Sequence, residues 1–472
     1  MEPSSVVRPC PPRSEHRHVG WEGATEALPD RTGGVTQIDG IAPGSRIGVL
    51  RPLRIRDFAF LWTGMSVSMI GDGIYFVAIA WQVIDLTNDP AALGLVGIAW
   101  SLPQVFFALA SGVLSDRLDR RWVMIAGDLI RFAAIGAIGV ASIQDVLTLP
   151  LLVALVVVYG IGDAIFQPAF NAIVPTIVPK HLLVQANSLG QFMRPFAMML
   201  VGPLVGGVLL GIGGSGTAFL VDAATFLVSA AMIAAIRARG GRLRESEPLA
   251  SMWEDVREGF RYIRTNRWLL IGMVGATVSL LCTWGPWEAL VPFLVRRELS
   301  GGPFALALVY GAGGAGSVIA ALAIGQRSRL PRRAITALYL AWAVGMFGTA
   351  GFGVVETVWQ AMLVALVTEG AITVLVIIWF TLLHRLVPDR LLGRVTSLDW
   401  MISITGVPIS FAIVGPVAAA VGVRETLILA GLLGGLVTLA VMFVPGARGP
   451  ERDGSIERQQ GAPEHLAAVA GD

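Results

Sequence analysis

VPKHLLVQANSL (178–189) and VPDRLLGRVTSL (387–398) match position by position in Val, Pro, Leu, Leu, Ser and Leu. A second pair keeps the same order along the chain: GVLSDRLDRR (112–121) and IGQRSRLPRR (324–333) share Arg-Leu-x-Arg-Arg. Two such echoes mark an internally duplicated chain. Each copy is flanked by long apolar runs, and this decides the fold class. About 20 apolar residues in helical form cross a bilayer core. Such runs recur at about 58–82, 91–114, 122–142, 149–173, 188–212 and 217–236. After a polar link they recur at about 268–293, 303–324, 334–354, 357–381, 397–420 and 426–445. The echoed segments follow the second span, and lead into the fifth span, of each set. The expectation is an all-α polytopic membrane protein of 12 transmembrane helices, arranged as two pseudo-symmetric six-helix bundles related by an axis along the membrane normal.

Composition agrees. Of the 472 residues 54% are apolar and 14% charged, against about a quarter charged in a soluble domain. Long Leu/Val/Ala/Gly runs are not the short alternating strands of a barrel. Cys10 stands in a polar tail and Cys282 in an apolar span, which excludes a disulfide framework. The first apolar run begins near Phe58, so no cleavable leader is expected. The domain reading is a disordered tail at 1–50, a bundle at 51–236, a linker at 237–267, a bundle at 268–445 and a disordered tail at 446–472. In the linker, Trp253, Val256, Phe260 and Ile263 share one helical face with charges opposite. That pattern reads as an amphipathic helix on the inner leaflet, or as a solvated helix packed on the bundle.

Arginines sort by side. Arg51, Arg54, Arg56, Arg117, Arg120, Arg121, Arg327, Arg329, Arg332, Arg333, Arg385, Arg390 and Arg394 fall in segments on the same face as the tails. The opposite face holds mainly Asp85, Asp89, Asp145 and Glu356, with Arg296, Arg297 and Arg424 as exceptions. The positive-inside bias places both termini in the cytoplasm of a bacterial inner membrane.

With these residues in view the chain resembles the major facilitator superfamily over about residues 50–445, and within it the bacterial exporters related to macrolide, tetracycline and siderophore efflux proteins. The loop motif Gly-x-x-x-Asp-Arg-x-x-Arg-Arg is complete as Gly112, Asp116, Arg117, Arg120 and Arg121. The runs at 166–189 and 387–395 resemble signatures of the subgroup. GPLVGG, with Gly202, Pro203, Gly206 and Gly207, resembles the exporter motif of the fifth helix. Three departures stand out. Ser328 replaces the aspartate in the second loop motif, Met198 stands where a glycine is common, and the fourth helix lacks the arginine of many proton-driven relatives.

The resemblance implies export of small amphipathic compounds by proton antiport and alternating access. The loop cluster would latch the cytoplasmic side, or serve only as topology anchors, and the fifth-helix glycines would form a seam between the halves. Ionisable residues within spans are costly and mark function. Asp72, isolated within the first helix, is the leading proton-coupling candidate; its bland reading is a structural acceptor between helices. Glu369 is a candidate for the cavity. Asp163 and Arg194 are expected to pair. Asp128 and Arg131 are expected to pair near the cytoplasmic end as part of the latch, with Asp399 as a partner for the first-half arginines. Glu288 is placed as an outer-end residue and Asp222 as structural. Tyr75, Trp81, Trp100, Phe106, Trp284, Trp287 and Trp379 would line a pocket or pack at the membrane interface. The alternatives are a specific siderophore or metabolite exporter and a non-translocating sensor or scaffold. No nucleotide loop, zinc-spaced cluster or nucleophile constellation is present, so neither enzyme, cofactor, metal nor nucleic acid is expected. One chain holds both halves, which predicts a functional monomer in contact with lipids, protons and its substrate.

Overall fold

The computed structural model describes residues 48–87, 89–117, 119–237, 249–326, 331 and 333–456. The side chains of 48–49, 108–117, 180, 184, 249–255 and 389 are outside that description. The first half comprises α1 (Arg56–Thr87), α2 (Pro90–Arg117), α3 (Arg120–Ile143) and α4 (Leu149–Ile177), then α5 (183–213) and α6 (215–234). A linking helix α7 (Leu249–Thr265) precedes α8 (Arg267–Glu298), α9 (Pro303–Gly325), α10 (Ala334–Val354), α11 (Val358–Leu386), α12 (Arg390–Val421) and α13 (Val423–Phe443). A short helix, α14 (Gly449–Arg452), follows.

Helix α5 runs into α6 as one continuous 50-residue apolar stretch, Gln185–Ala234. At 1.5 Å per residue it would be roughly 75 Å long, more than twice a bilayer core. The chain breaks at Gly214, whose φ of 72° and ψ of −179° glycine alone adopts at low cost. With that break the described residues make twelve crossings. The end carrying the α6–α7 link is called the link end, and the opposite end the far end.

These helices reverse the pattern of a soluble protein. In α13, Leu429, Leu432, Leu433 and Leu436 are exposed, at the spacing of one helical face. Gly431, Gly434, Gly435 and Thr438 face inward. A Cβ on Gly431 would lie 2.1 Å from the backbone nitrogen of Ala350, so two backbones touch where the small residues are. Large apolar side chains outward and small ones at helix contacts suit a lipid solvent.

The halves meet through two helix pairs. On one side α2 packs on α12: a Cβ on Gly94 would lie 2.6 Å from the Phe411 carbonyl oxygen, and one on Gly415 would lie 2.5 Å from Ala91 Cα. On the other, α5 packs on α9 through Gly207 against Ala307, Leu204 against Gly311, and Met199 against Gly314. Each pair joins the second helix of one half to the fifth of the other, as a two-fold axis requires. Both contacts lie from mid-span toward the far end, where Arg296 and Asp85 also join the halves by an ion pair.

Candidate functional site

A polar centre lies inside the first half. Near the middle of α1, the Asp72 carboxylate accepts a hydrogen bond from the Tyr159 hydroxyl of α4 at 3.1 Å. Four residues on, and so on the same face of α4, Asp163 accepts a 2.6 Å bond from Gln104 Nε2 of α2. Asp163 also lies 4.0 Å from Arg131 of α3. Arg131 forms an ion pair with Asp128 one turn away, and the two side chains are only 2% and 0% exposed. The guanidinium is sandwiched between Phe166 and Phe226, at 4.3 and 4.5 Å from their ring centroids. Two ring faces and a carboxylate hold this cation where water does not reach it. Asp222 of α6 is fully buried and close to Thr225 Oγ1 at 3.5 Å, with one carboxylate oxygen unpartnered. Asp72 lies within electrostatic reach of Arg131, Asp163, Arg194 and Asp222. Four carboxylates thus share one buried arginine, with the exposed Arg194 acting from a distance.

Three expectations change here. Arg131 and Asp128 do pair, but Arg131 lies near the middle of α3 rather than at its link end, because its ring partners Phe166 and Phe226 are deep in α4 and α6. Asp163 turns to Arg131 and Gln104 and does not bridge to Arg194, which is exposed on α5. Asp399, expected to meet first-half arginines, instead accepts a 3.0 Å bond from Trp379 Nε1 within the second half.

The second half has its own carboxylates. Glu369 sits on α11 opposite Gly313 of α9, where a Cβ would come within 2.9 Å of Glu369 Cγ; the glycine makes room for the side chain. Glu288 of α8 and Tyr310 of α9 are within electrostatic reach of Glu369. Trp287 packs edge-on to Phe352 at 4.9 Å and near Tyr310 at 6.3 Å. Of the other aromatics, Tyr75 stacks near Tyr159 at 4.8 Å, Trp81 lies beneath Arg296, Trp100 packs on the first-half core, Trp284 packs beside Phe411, and Phe106 is exposed.

At the link end the loop-motif arginines hold helix ends. Arg120 donates to the Ala172 carbonyl of α4 at 2.8 Å. Arg121 donates to Ile233 at 3.1 Å and to Ala234 at the end of α6. Cations at helix C-termini satisfy orphan carbonyls and favour the helix dipole. Gly112, Asp116 and Arg117 fall in the last turns of α2, and their side chains lie outside the described residues, as does Ser328.

The fifth-helix glycines divide between two contacts. Gly202 meets α1 backbone to backbone, a Cβ there lying 2.6 Å from Gly73 Cα, and Gly206 lies over Ile74. Pro203 is buried beside them, in the turn that follows the π-helical stretch Arg194–Val201. Gly207 alone of the four faces the other half, with a Cβ 2.4 Å from that of Ala307.

Sequence reasoning missed Gln104 and Tyr159. Each is a polar group inside an apolar span, and Tyr159 stands one turn before Asp163, which is the signal that could have flagged it. It also left the far-end arginines as exceptions to the charge bias. The structure accounts for two of them. Arg296 pairs with Asp85 over the Trp81 ring. Arg424 pairs with Glu298 at 3.3 Å and donates to the carbonyls of Gly353 and Val355 at the end of α10.

Residues 47–468 match the family described as transmembrane secretion effector. The chain belongs to this family of the major facilitator superfamily. It is 24% identical over 396 residues to macrolide efflux protein A of Streptococcus pyogenes, covering 82% of this chain and 94% of that one. It is 26% identical over 391 residues to the enterobactin exporter EntS of Salmonella choleraesuis, covering 80% and 91%. Among solved structures it is similar to the nucleoside transporter NupG, with a TM-score of 0.65 at 13% identity, covering 82% of this chain and 98% of that one. The last likeness concerns the fold. The protein is a multipass membrane protein and a secondary transporter of the efflux type, in a family that performs transport and not catalysis.

Proposed function

We propose that the protein exports small amphipathic compounds, of the multidrug or macrolide-like kind, across a bacterial inner membrane in exchange for protons. The observation that supports this most is the first-half polar centre, in which four carboxylates share one buried arginine. Asp128 and Asp163 take the cation. Asp72 and Asp222 have no cation within hydrogen-bond distance among the described residues, and an unpaired charge there is costly. Such a centre takes up a proton or a cationic substrate group. Asp72 carries the proton, Asp163 and Arg194 flank it, and Arg131 stands in for the arginine that many relatives have on the fourth helix. Glu369 serves the substrate cavity.

Alternating access follows from the two-fold seams. With both seams closed from mid-span to the far end, access between the halves is from the link side, which this reading assigns to the cytoplasm. Opening the far end requires α2 to part from α12 and α5 from α9. The sequence groups Gly112, Asp116, Arg117, Arg120, Arg121, Asp128, Arg131 and Asp399 as a latch. We retain the loop-motif residues in that role on the strength of the motif; in the link-open state Arg120 and Arg121 hold the ends of α4 and α6 within their own half, and Asp128, Arg131 and Asp399 are released from the latch. Gly202, Pro203, Gly206 and Gly207 keep α5 close to α1 and α9. The bundles 51–236 and 268–445 move as the two bodies, and one chain suffices.

A specific siderophore or metabolite exporter is the second reading, favoured by the likeness to the enterobactin exporter. Efflux of a dye and of a labelled macrolide from proteoliposomes under an imposed proton gradient tests the proposal. Gradient-dependent efflux that Asp72→Asn abolishes, with insertion intact, supports it. Uphill efflux unchanged by Asp72→Asn removes the coupling role of Asp72. No flux of either probe moves the weight to a dedicated metabolite.

A further inference from the structure

The linking helix α7 stops at Thr265, and Asn266 (φ −101°, ψ 89°) turns the chain before α8 begins at Arg267. Helix α7 is therefore tethered one residue from a membrane span, at the surface of the leaflet on the link side. One of its faces is docked. A Cβ on Gly259 would lie 3.0 Å from Leu398 Cδ1, Ile263 is fully buried, Tyr262 donates to the Leu386 carbonyl at 3.3 Å, and Glu258 pairs with Arg394 of α12. The docking rotates the helix away from the simple amphipathic expectation. Ile263 goes inward, whereas Val256 and Phe260 stay 38% and 45% exposed.

Beside those two apolar side chains runs a basic row. Arg257, Arg261 and Arg264 are four and three residues apart, which places them on one face, and all three are exposed. Arg264 lies over the Phe260 ring at 6.0 Å. Apolar groups flanked by guanidinium groups, held at the depth where a span enters the bilayer, are what a helix needs to lie in the interfacial plane.

We propose that the Arg257–Arg261–Arg264 row of α7 is a binding site for anionic phospholipid headgroups, with Phe260 and Val256 seated among the acyl chains. Three observations fix the occupant as lipid: the continuity of α7 with α8, the exposed apolar pair, and a charge complementary to phosphate. Because α7 is pinned to the link-end part of α12, whose far part forms the seam with α2, the bound lipid also steadies one of the two helices that must move. The lipid site itself is independent of what the protein transports.

Hydrogen–deuterium exchange of the full chain in nanodiscs tests it, read on peptides covering 256–265. Nanodiscs of phosphatidylcholine are compared with ones holding 30% phosphatidylglycerol. An arginine near an anionic surface contributes about fivefold to partitioning, so three give roughly a hundredfold, and the peptide should exchange several-fold more slowly with phosphatidylglycerol. The triple Arg→Gln variant should lose that difference and the triple Arg→Lys variant should keep it. Equal exchange in the two bilayers, or a lipid-dependent difference that survives Arg→Gln, overturns the proposal. Protection by soluble glycerol phosphate in neutral nanodiscs also overturns it, since the site would then take free anions. No transport is read, so failure of the efflux proposal would leave this result standing.

Discussion

Two glycines five residues apart in α5 should respond to the same substitution in different ways. Gly207 faces Ala307 across the seam, and Gly202 faces Gly73 inside the first half. A Cβ at 207 would come within 2.4 Å of the Ala307 Cβ, more than 1 Å closer than ordinary carbon contact allows at about 3.5–4.0 Å. Overpacking of that kind costs about 1–3 kcal/mol. The better helix propensity of alanine, about 1 kcal/mol, applies equally in every conformation and cancels from the equilibrium between them. Gly207→Ala should therefore disfavour the far-closed state by about 5- to 150-fold. At Gly202 the clash is with backbone of the same half and persists in either conformation. Gly202→Ala should thus lower the melting temperature without moving the conformational equilibrium. The assay is a spin–spin distance between labels at Val146 and Glu356, which are exposed at the far end on opposite halves, in a background with Cys10 and Cys282 replaced by serine. Gly207→Ala should add a population at longer distance. Ala307→Gly should restore the short one, since the next neighbour is Phe304 Cα at 3.3 Å. A folded Gly207→Ala variant with an unchanged distance, or one that Ala307→Gly fails to correct, would refute the reasoning.

Other substitutions separate structural from coupling roles. Arg131→Gln leaves Asp128 buried without its cation and should cost about 3–5 kcal/mol; Arg131→Met with Asp128→Leu should recover only part of it, because Asp163 also loses its cation, read by thermal unfolding in detergent, while uphill efflux stays lost. The Arg296–Asp85 pair is 35% and 44% exposed, so breaking it with Arg296→Ala should cost at most about 1 kcal/mol. The reversed pair, Arg296→Asp with Asp85→Arg, should return the far-end distance to that of the parent, and 0.5 M salt should shrink the difference between single and double variants.

What could be read from the sequence was what depends on the bilayer. The solvent fixes span length and apolarity, so the helices follow from local composition, and even the α5–α6 break is announced by GIGGSG (211–216). Pairings between helices are different, because they depend on rotations no local pattern encodes. Asp128 and Arg131 could be paired from their spacing, since both lie on one helix. That Asp163 would meet Arg131 rather than Arg194, or Asp399 would meet Trp379, depended on how α3, α4, α11 and α12 turn against each other. The linking helix makes the same point. Its amphipathic period was visible, yet which apolar residues face protein is decided by where α12 packs on it, with Gly259 against Leu398 and Glu258 against Arg394.

The duplication repeats the backbone without repeating the chemistry. Both seams join a second helix to a fifth, but the carboxylates of the second half, Glu288, Glu369 and Asp399, keep company with Tyr310 and Trp379, whereas those of the first surround Arg131. If the first half carries the proton, its state must reach a seam that is two-fold symmetric. The path is short. Asp72 is followed directly by Gly73, which lies against Gly202 of α5 and the carbonyl of Met198, and the same helix presents Met199, Leu204 and Gly207 to α9. Contact between two glycines leaves no flexible side chain to absorb a shift of α1, so a displacement of Asp72 along α1 is passed to α5 as backbone movement. The π-helical stretch Arg194–Val201 lies beside this crossing, where one turn is already wider than its neighbours and can take up such a shift. In this arrangement α1 and α5 move as one piece, and Gly207, on the face of that piece that meets Ala307, is the glycine on which closure of the α5–α9 seam depends.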